Sequence, residues 1–455
     1  MAQQVTADAF LLGIYKSWYS EEEFANLMFR NSPAAKKVKK NRVGGRDVKF
    51  GMAWGGGGNV SGDYTIAVAN AASSSKNSEM IVTPGNIHAV FNVTQKEILA
   101  AQTKRGGYVS GLVNKMFTST DMMRKIFAAC FYGFGAGDIG ALPAIVAIGA
   151  ATMTLNYDTI VKMAVGTQFF VVNGATPLAA FYDAVVRTVT AIDGTTVTFD
   201  VVVGAVAWAA GSLIEIRGGR DATPLYNMPC GLASWIPSVA NRTGAVWTVY
   251  IATAFYGVNR SLATSALAGW FYQRQPGEAK ADAISQGMKL ARRGGGVPTG
   301  IVVNDDDWQD IVYELNAQTN FYQAVNQAGA KDQNAITRGV AKLKYSFSTS
   351  YIDLVYEDPY CPKGTAYILD WDVIEFAALS NVESPINDGV AENEPGAPKV
   401  AGAAEPDLTS KLLIDDYISV ASNSTSVEGP ASQVSLSLYG NFIVHAPGHC
   451  AVIVF

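Results

Sequence analysis

Residues 342–380, KLKYSFSTSYIDLVYEDPYCPKGTAYILDWDVIEFAALS, constrain the chain more than any other stretch, because they read as three strands joined by turns. Leu343, Tyr345 and Phe347 alternate with Lys344, Ser346 and Ser348, the period of two that gives a strand one buried and one polar face. Asp358-Pro359 and Pro362-Lys363-Gly364 supply the fixed φ and the permissive φ that tight turns require. The apolar pattern resumes at residues 366–369 and 373–376, so a small meander is predicted.

The rest of the chain divides around it. Ser20-Glu21-Glu22-Glu23 is a capping box, with Phe24, Leu27 and Met28 following at helical spacing, and Asn31-Ser32-Pro33 closes that short helix. Residues 43–93 run out as VGGRDVKFGMAW, pass a Gly, Ser and Ala-rich stretch, and return as EMIVTPGNIHAVFNV. An extended hairpin is expected there, and a lone two-stranded arm has too little apolar surface to be stable, so it should lie on another surface. A second capping box, Thr94 to Glu97, opens a long helix with Val109, Leu112, Val113, Met116 and Phe117 on one face. Gly106-Gly107 should interrupt it, and Met122, Met123, Ile126, Phe127 and Cys130 continue the apolar face.

From about Thr152 to Arg217 the period is two, giving about five short strands and a small β-barrel or sandwich, with Asp193-Gly194 at a type I′ hairpin turn. Residues 247–256 read as an apolar strand. Residues 277–295 then form a helix with Ile284, Met288 and Ala291 on one face and Gly294 as C-cap. A strand, TGIVVN, leads into a further helix lined by Trp308, Ile311, Val312 and Leu315. Residues 384–410, rich in Pro, Gly, Ala and Glu, have no period and read as a linker, and QVSLSLYGNFIVHAPGHCAVIVF closes the sequence as strand.

The chain has 455 residues, enough for roughly three domains. Only 16% of them are charged, against about 25% in typical soluble domains. An ordinary core with few surface charges fits a protein that keeps much of its surface in contact with partners, where charge is depleted, or a β-rich, Gly and Thr-rich domain that is simply neutral. The net charge of -5 argues against dedicated nucleic-acid binding. Cys130, Cys230, Cys361 and Cys450 show no CxxC spacing and read as buried apolar side chains in a cytosolic pattern. Residues 1–10 carry no secretory n-region or h-region. The uncharged runs 139–157 and 222–241 are interrupted by proline and glycine, so they read as buried irregular or strand segments and not as membrane spans.

No catalytic constellation emerges, and the chain is not expected to be an enzyme or to need a cofactor or metal. Glycine clusters at 55–58 and 133–140 lack the βαβ context and the GxxxxGK[ST] pattern of a phosphate loop. Asp305-Asp306-Asp307 falls at a helix start, where acids cap amides and meet the dipole. His445, His449 and Cys450 lie on a strand broken by Pro447-Gly448, where metal spacing is lost. The charges are unevenly placed: Arg30, Lys36, Lys37, Lys39, Lys40, Arg42, Arg46 and Lys49 face one acid, Asp47, whereas residues 383–416 hold Glu392, Glu394, Glu405, Asp407 and four further acids against Lys399 and Lys411. Docking of the basic run on the acidic segment of an adjacent copy is expected, with solvated faces or contact between the basic run and DNA as rivals.

LVYEDPYCPKGTAYILDWDVIEFAAL resembles the late segment of tailed-phage major capsid proteins of the HK97 type, and GVNRSLATSALAGW is similar to a turn and helix in many of them. The resemblance implies an α+β, HK97-like fold: an N-terminal arm (1–35), an extended loop (36–93), a spine helix and the start of the peripheral domain (94–150), an inserted β domain (151–220), an axial domain (221–340), and a peripheral segment (341–455) ending in a strand of the long peripheral sheet. It also implies copies of the chain forming hexamers and pentamers around packaged double-stranded DNA, with assembly in the host cytoplasm and no membrane. A separate scaffolding protein is expected, since no long helical prefix precedes the arm, and a portal and decoration proteins are the other partners implied. No residue matches the lysine–asparagine crosslink of some members. The alternatives are a non-viral nanocompartment shell of the same fold and a β-rich decoration or host-binding protein, against which the long helix counts.

Overall fold

The computed structural model describes residues 32–43, 47–55, 61–70, 76–94, 108–174, 180–183, 185–220, 226–319, 345–347, 350–352, 355–379, 418–426 and 429–455. The first capping box, most of the second, Arg30, Arg46 and the Pro/Gly segment with Glu392, Glu394, Glu405 and Asp407 lie outside these residues.

Helix α1 (Pro33–Lys37) has proline in its first turn and Ser32 as N-cap, whose Oγ accepts from Ala35 N at 3.3 Å. Strand β1 (Lys39–Val43) follows. Strands β2 (Val48–Gly55) and β3 (Lys76–Val82) form the arm as an antiparallel pair, with helix α2 (Tyr64–Asn70) between them. The hairpin is therefore shorter than expected. Thr83-Pro84 ends it, and β4 (Gly85–Thr94) leaves for another sheet. Gly85 is needed at that corner, since a Cβ there would lie 2.4 Å from the Met228 carbonyl carbon. Helix α3 (Tyr108–Tyr132) starts directly after Gly106-Gly107 and runs 25 residues, roughly 37 Å at 1.5 Å per residue. Met123, Phe127 and Cys130 are buried as their spacing predicts, and so are Ala128, Ala129, Phe131 and Tyr132, so the last turns are enclosed on all sides.

Strands β5 (Asp138–Ala141) and β6 (Thr152–Thr154), helix α4 (Tyr157–Ile160), and strands β7 (Gln168–Val171), β8 (Arg187–Asp193), β9 (Thr196–Phe199) and β10 (Leu213–Ile216) build a six-stranded sheet in the order β5-β10-β7-β8-β9-β6. It has a core of its own, including Ile139, Leu142, Met153, Phe169, Val197 and Trp208. The sheet begins at Asp138, ahead of the boundary near 151 expected from the change of period. The β8–β9 turn is Gly194-Thr195, one residue later than expected. Gly194 has φ 56° and no positive φ occurs at Thr195, which is the pattern of a type II′ turn and not of type I′.

Helix α5 (Leu232–Trp235) is buried. Helix α6 (Gly244–Ala252) replaces the strand expected at 247–256. Tyr250 and Ile251 are buried and Trp247 half-buried, a helical set, but Val246 and Val249 on the exposed side hide that period from the sequence. After α7 (Thr264–Leu267) and β11 (Trp270–Gln273), helix α8 (Lys280–Arg293) buries Ile284, Met288 and Ala291. It ends in a Schellman motif: Gly296 N donates to Ala291 O and Gly295 N to Arg292 O. Gly294 is right-handed, and Gly295, φ 91°, takes the left-handed conformation. Strand β12 (Gly300–Val303) and helix α9 (Asp305–Thr319) complete this stretch; Ile311 is buried and Trp308 and Val312 half-buried.

The strands that follow are β13 (Tyr345–Phe347), β14 (Ser350–Ile352), β15 (Val355–Glu357), β16 (Thr365–Leu369), β17 (Ile374–Leu379), β18 (Ile418–Ser426), β19 (Gly429–Val444) and β20 (Ala451–Val454). The expected meander is replaced by dispersal. β13 and β14 pair with each other, β15 and β16 flank β12 in a mixed sheet of order β11-β20-β16-β12-β15, and β17 lies in a second sheet between β1 and β19. The closing strand also departs from expectation: β20 enters the mixed sheet between β11 and β16, and β19 holds the long sheet together by pairing with β4, β17 and β18. A division at residue 340 would cut the mixed sheet. The physical reason is that a period of two identifies a strand's faces but not its neighbours, and β12, β16 and β20 are largely buried on both faces beneath α8 and α9. α3 meets the long sheet in an aromatic cluster, with Phe127, Phe376 and Phe442 rings 4.8 to 5.3 Å apart.

Candidate assembly surfaces

The arm is anchored before it is exposed. Met52, Met80 and Val82 are buried in the main core, Ile81 N donates to Tyr256 O at 3.2 Å, and the Phe50 ring meets that of His445 edge-on at 4.9 Å. Its root therefore has apolar surface to bury within its own chain, contrary to expectation. The organising residue is Asn441, buried in β19. Its Nδ2 donates to Thr83 O at 2.8 Å and to Tyr256 Oη at 2.5 Å, and its Oδ1 accepts from Cys230 N at 2.7 Å. Satisfying every polar group of a buried amide in this way fixes the arm, β19 and the segment before α5 in one geometry. The one sequence signal was a lone amide inside the apolar run GNFIV.

Beyond Trp54, whose indole donates to Ser78 Oγ at 3.0 Å, the arm is exposed. Asp63 Oδ1 accepts from Thr65 N at 2.8 Å and starts α2. α2 presents Tyr64, 83% exposed, with Ile66 and Val68. The stretch expected to be a Gly, Ser and Ala-rich tip thus carries a short helix with Tyr64 and Val68 exposed on one side and Ile66 on the other.

Among the described residues the lysines of the basic run do not form one face. Lys36, Lys37 and Lys49 are exposed. Lys39 Nζ lies 3.1 Å from Asp372 Oδ1, Lys40 is buried, and Arg42 sits in β1 opposite Ala378. β1 runs parallel to β17, which alternates its side chains between two environments.

A second anchor lies at Asp358, which is fully buried. It accepts from Ser32 Oγ at 2.6 Å, Tyr132 Oη at 2.8 Å and Tyr360 N at 3.0 Å, tying α1 to the end of α3 and to the turn after β15. Burial raises its carboxyl while these bonds oppose the rise. The neighbouring aspartates act as ion-pair partners more than as caps. Asn304 caps α9 by accepting from Asp306 N at 3.0 Å; Asp307 lies 2.8 Å from Lys280 Nζ and accepts from Gly364 N, and Asp306 lies 2.7 Å from Lys363 Nζ. Desolvation, with Glu357 and other acids nearby, pushes Asp305 up to about 6.

His445 Nε2 lies 2.9 Å from Glu375 Oε1 and His449 Nδ1 3.8 Å from Asp370 Oδ2, so the two rings serve different carboxylates. All four cysteines are free and buried. Among the described residues no group of three His, Cys, Asp or Glu could hold a metal ion, and no helix is long and apolar enough to cross a membrane. The glycines at 133–140 allow close packing on the segment before α5: Met228 N donates to Gly135 O, and a Cβ at Gly135 would lie 2.4 Å from Cys230 Sγ.

No family model and no curated protein matches the chain. It is similar to the solved capsid of cyanophage A-1(L), 11% identical over 93% of this chain and 92% of that one, with a TM-score of 0.48. It is also similar to an encapsulin complex from Synechococcus elongatus, 7% identical over 92% and 84%, TM-score 0.37. A third such structure is a virus-like particle from Pyrococcus furiosus, 5% identical over 94% and 95%, TM-score 0.36.

Proposed function

We propose that this chain is the major capsid protein of a tailed double-stranded DNA phage, assembling with copies of itself into the hexamers and pentamers of an icosahedral head. The observation that carries this reading is the arm: a stalk rooted in the core by Met52, Met80 and Asn441 and ending in an exposed apolar helix. Such a helix gains stability by covering itself on another subunit. The low charge content and the resemblance of residues 354–379 to capsid sequences support the same reading. Scaffolding, portal and decoration proteins, and non-specific packaged DNA, complete the proposed set of partners.

Electron microscopy of the purified chain tests it, with closed shells as the expected product; monodisperse monomers at every concentration and salt would sink the reading. Deleting residues 61–70 should leave a folded chain whose shell yield falls tenfold or more. Charge pairing between copies is proposed in a reduced form, through Lys36 and Lys37 toward Glu392, Glu394, Glu405 and Asp407. Lys39 is already paired to Asp372 and Lys40 is buried. Reversing Lys36 and Lys37 to Glu should lower assembly, and reversing the four acids to Lys should restore part of it.

A further inference from the structure

The chain has three histidines, and one of them touches the arm. His445 follows β19 directly, with Nε2 2.9 Å from Glu375 Oε1 on β17 and its ring in T-shaped contact with Phe50 of β2 at 4.9 Å. The other Glu375 oxygen accepts from Asn41 Nδ2 on β1. Lys39, also on β1 and paired with Asp372 at 3.1 Å, adds its positive field. The backbone fixes the ring's base, since His445 N donates to Val373 O at 2.9 Å. Phe50 in turn stands 6.3 Å from the ring of the buried Trp235. One pair of side chains thus meets β1, β2, β17 and the end of β19, and β1 and β2 are the strands by which the chain enters the arm. The Glu375 side chain is 17% exposed and that of His445 41%, so water reaches the ring while the carboxylate stays largely enclosed.

We propose that the His445–Glu375 pair is a proton-operated clasp on the root of the arm, closed while the imidazole is charged and slack once it is neutral. Imidazole is the side chain whose charge changes between about pH 5 and 8. Charged, the ring gives Glu375 a charge-assisted hydrogen bond, roughly twice as strong as a neutral one. Neutral, it keeps at most an ordinary hydrogen bond, and the surface on which Phe50 rests is held less firmly. The hydrogen bond from His445 is the largest influence on the Glu375 carboxyl and holds it below its usual range against desolvation, with Asn41 and Lys39 adding to the pull. Glu375 is therefore ionised throughout the range in which the ring titrates, and the clasp loosens as pH rises through that range. The inference rests on the proposed function only in taking the arm as the part that reaches another copy. In that setting the arm is held in one direction in mild acid and becomes pliant above neutrality.

Hydrogen–deuterium exchange of the full chain, with labelling times scaled to the intrinsic exchange rate at each pH, tests the clasp. Between about pH 5.5 and 8, protection of the β2 and β3 amides should fall about fivefold, the difference between a charge-assisted and a neutral bond, while β20 keeps its protection. The midpoint should coincide with the titration of the His445 ring followed by NMR, in which His88, beside Ser437 Oγ at 2.9 Å, and His449, beside Asp370, are the internal comparisons. His445→Gln should leave the arm at its high-pH protection at every pH. Glu375→Gln, which keeps the shape of the carboxylate, should likewise flatten the response, so the test stands even if one variant folds poorly. Arm protection that does not change with pH, or that changes equally in both variants, overturns the inference. Because exchange is read on single chains as well as on shells, that failure leaves the capsid reading intact, and a chain that forms no shells still reports on the clasp.

Discussion

The six-stranded sheet is drawn from one stretch, Asp138 to Ile216, whereas the mixed sheet gathers strands from Trp270 to Val454. Each has its own core: Phe169, Val197 and Trp208 in the first, Ile284, Ile301, Ile368 and Ile453 in the second. The first closes through hairpins and a loop pair of modest separation. The second places its final strand between β11 and β16, so it is incomplete until the end of the chain has paired. The contrast predicts that one region stands without the end of the chain and the other does not.

Deleting residues 451–455 should have the largest effect. It removes the buried strand β20, and the mixed sheet should fail to fold, while limited proteolysis should still yield a resistant fragment holding residues 138–216. A truncated chain that unfolds at the wild-type temperature would erase the distinction.

Next in size is Lys280→Met, which leaves Asp307 buried without its cation at a cost of about 3–5 kcal/mol in denaturant unfolding. Adding Asp307→Leu should recover much of it. The matching change in the six-stranded sheet, Arg187→Met, should cost less. The Asp183 carboxylate that faces Arg187 at 2.7 Å is partly exposed and can be hydrated once the guanidinium is gone. Equal costs at the two sites would contradict that difference.

A pH dependence also separates the two regions, with its largest single source in the six-stranded sheet. Glu215 and Asp138 are register partners on β10 and β5. Burial pushes Glu215 up to about 8, against the pull of Arg220 and with a further push from Asp138, and burial pushes Asp138 up to about 6. A folded state that holds protons the unfolded chain has released loses stability as pH rises. Unfolding of this region should therefore become easier between about pH 4.5 and 8 and level off above that window. Glu215→Gln should flatten the slope in thermal melts, and an unchanged slope would place the dependence elsewhere.

Local features of this contrast were legible in the sequence. The β8–β9 hairpin, the stripe Ile284, Met288 and Ala291 and the glycine end of α8 follow from spacing within a dozen residues, and the buried free cysteines from the lack of any close pair. What escaped is non-local. Alternation in 342–380 could not say that β15 and β16 would flank β12 while β17 joined another sheet, nor that β19 and β20 would part into different sheets. Asn441 and Asp358 were unreadable for the same reason, since their partners lie at Thr83, Cys230 and Tyr256 and at Ser32 and Tyr132. α6 was lost because its exposed valines blurred the helical period.

The two-residue link Thr83-Pro84 has a mechanical consequence. A pull on β3 arrives at the Gly85 end of β4, and β4 is laddered to β19 from Gly85–Gly440 to Thr94–Ala431. Because ladder hydrogen bonds lie across the strands, tension directed along β4 loads them together, in shear, whereas a perpendicular pull would open them one by one. The arm is thus spliced to the body like a lap joint, and stretch applied at α2 is carried into β19 as distributed stress instead of peeling the sheet from its edge.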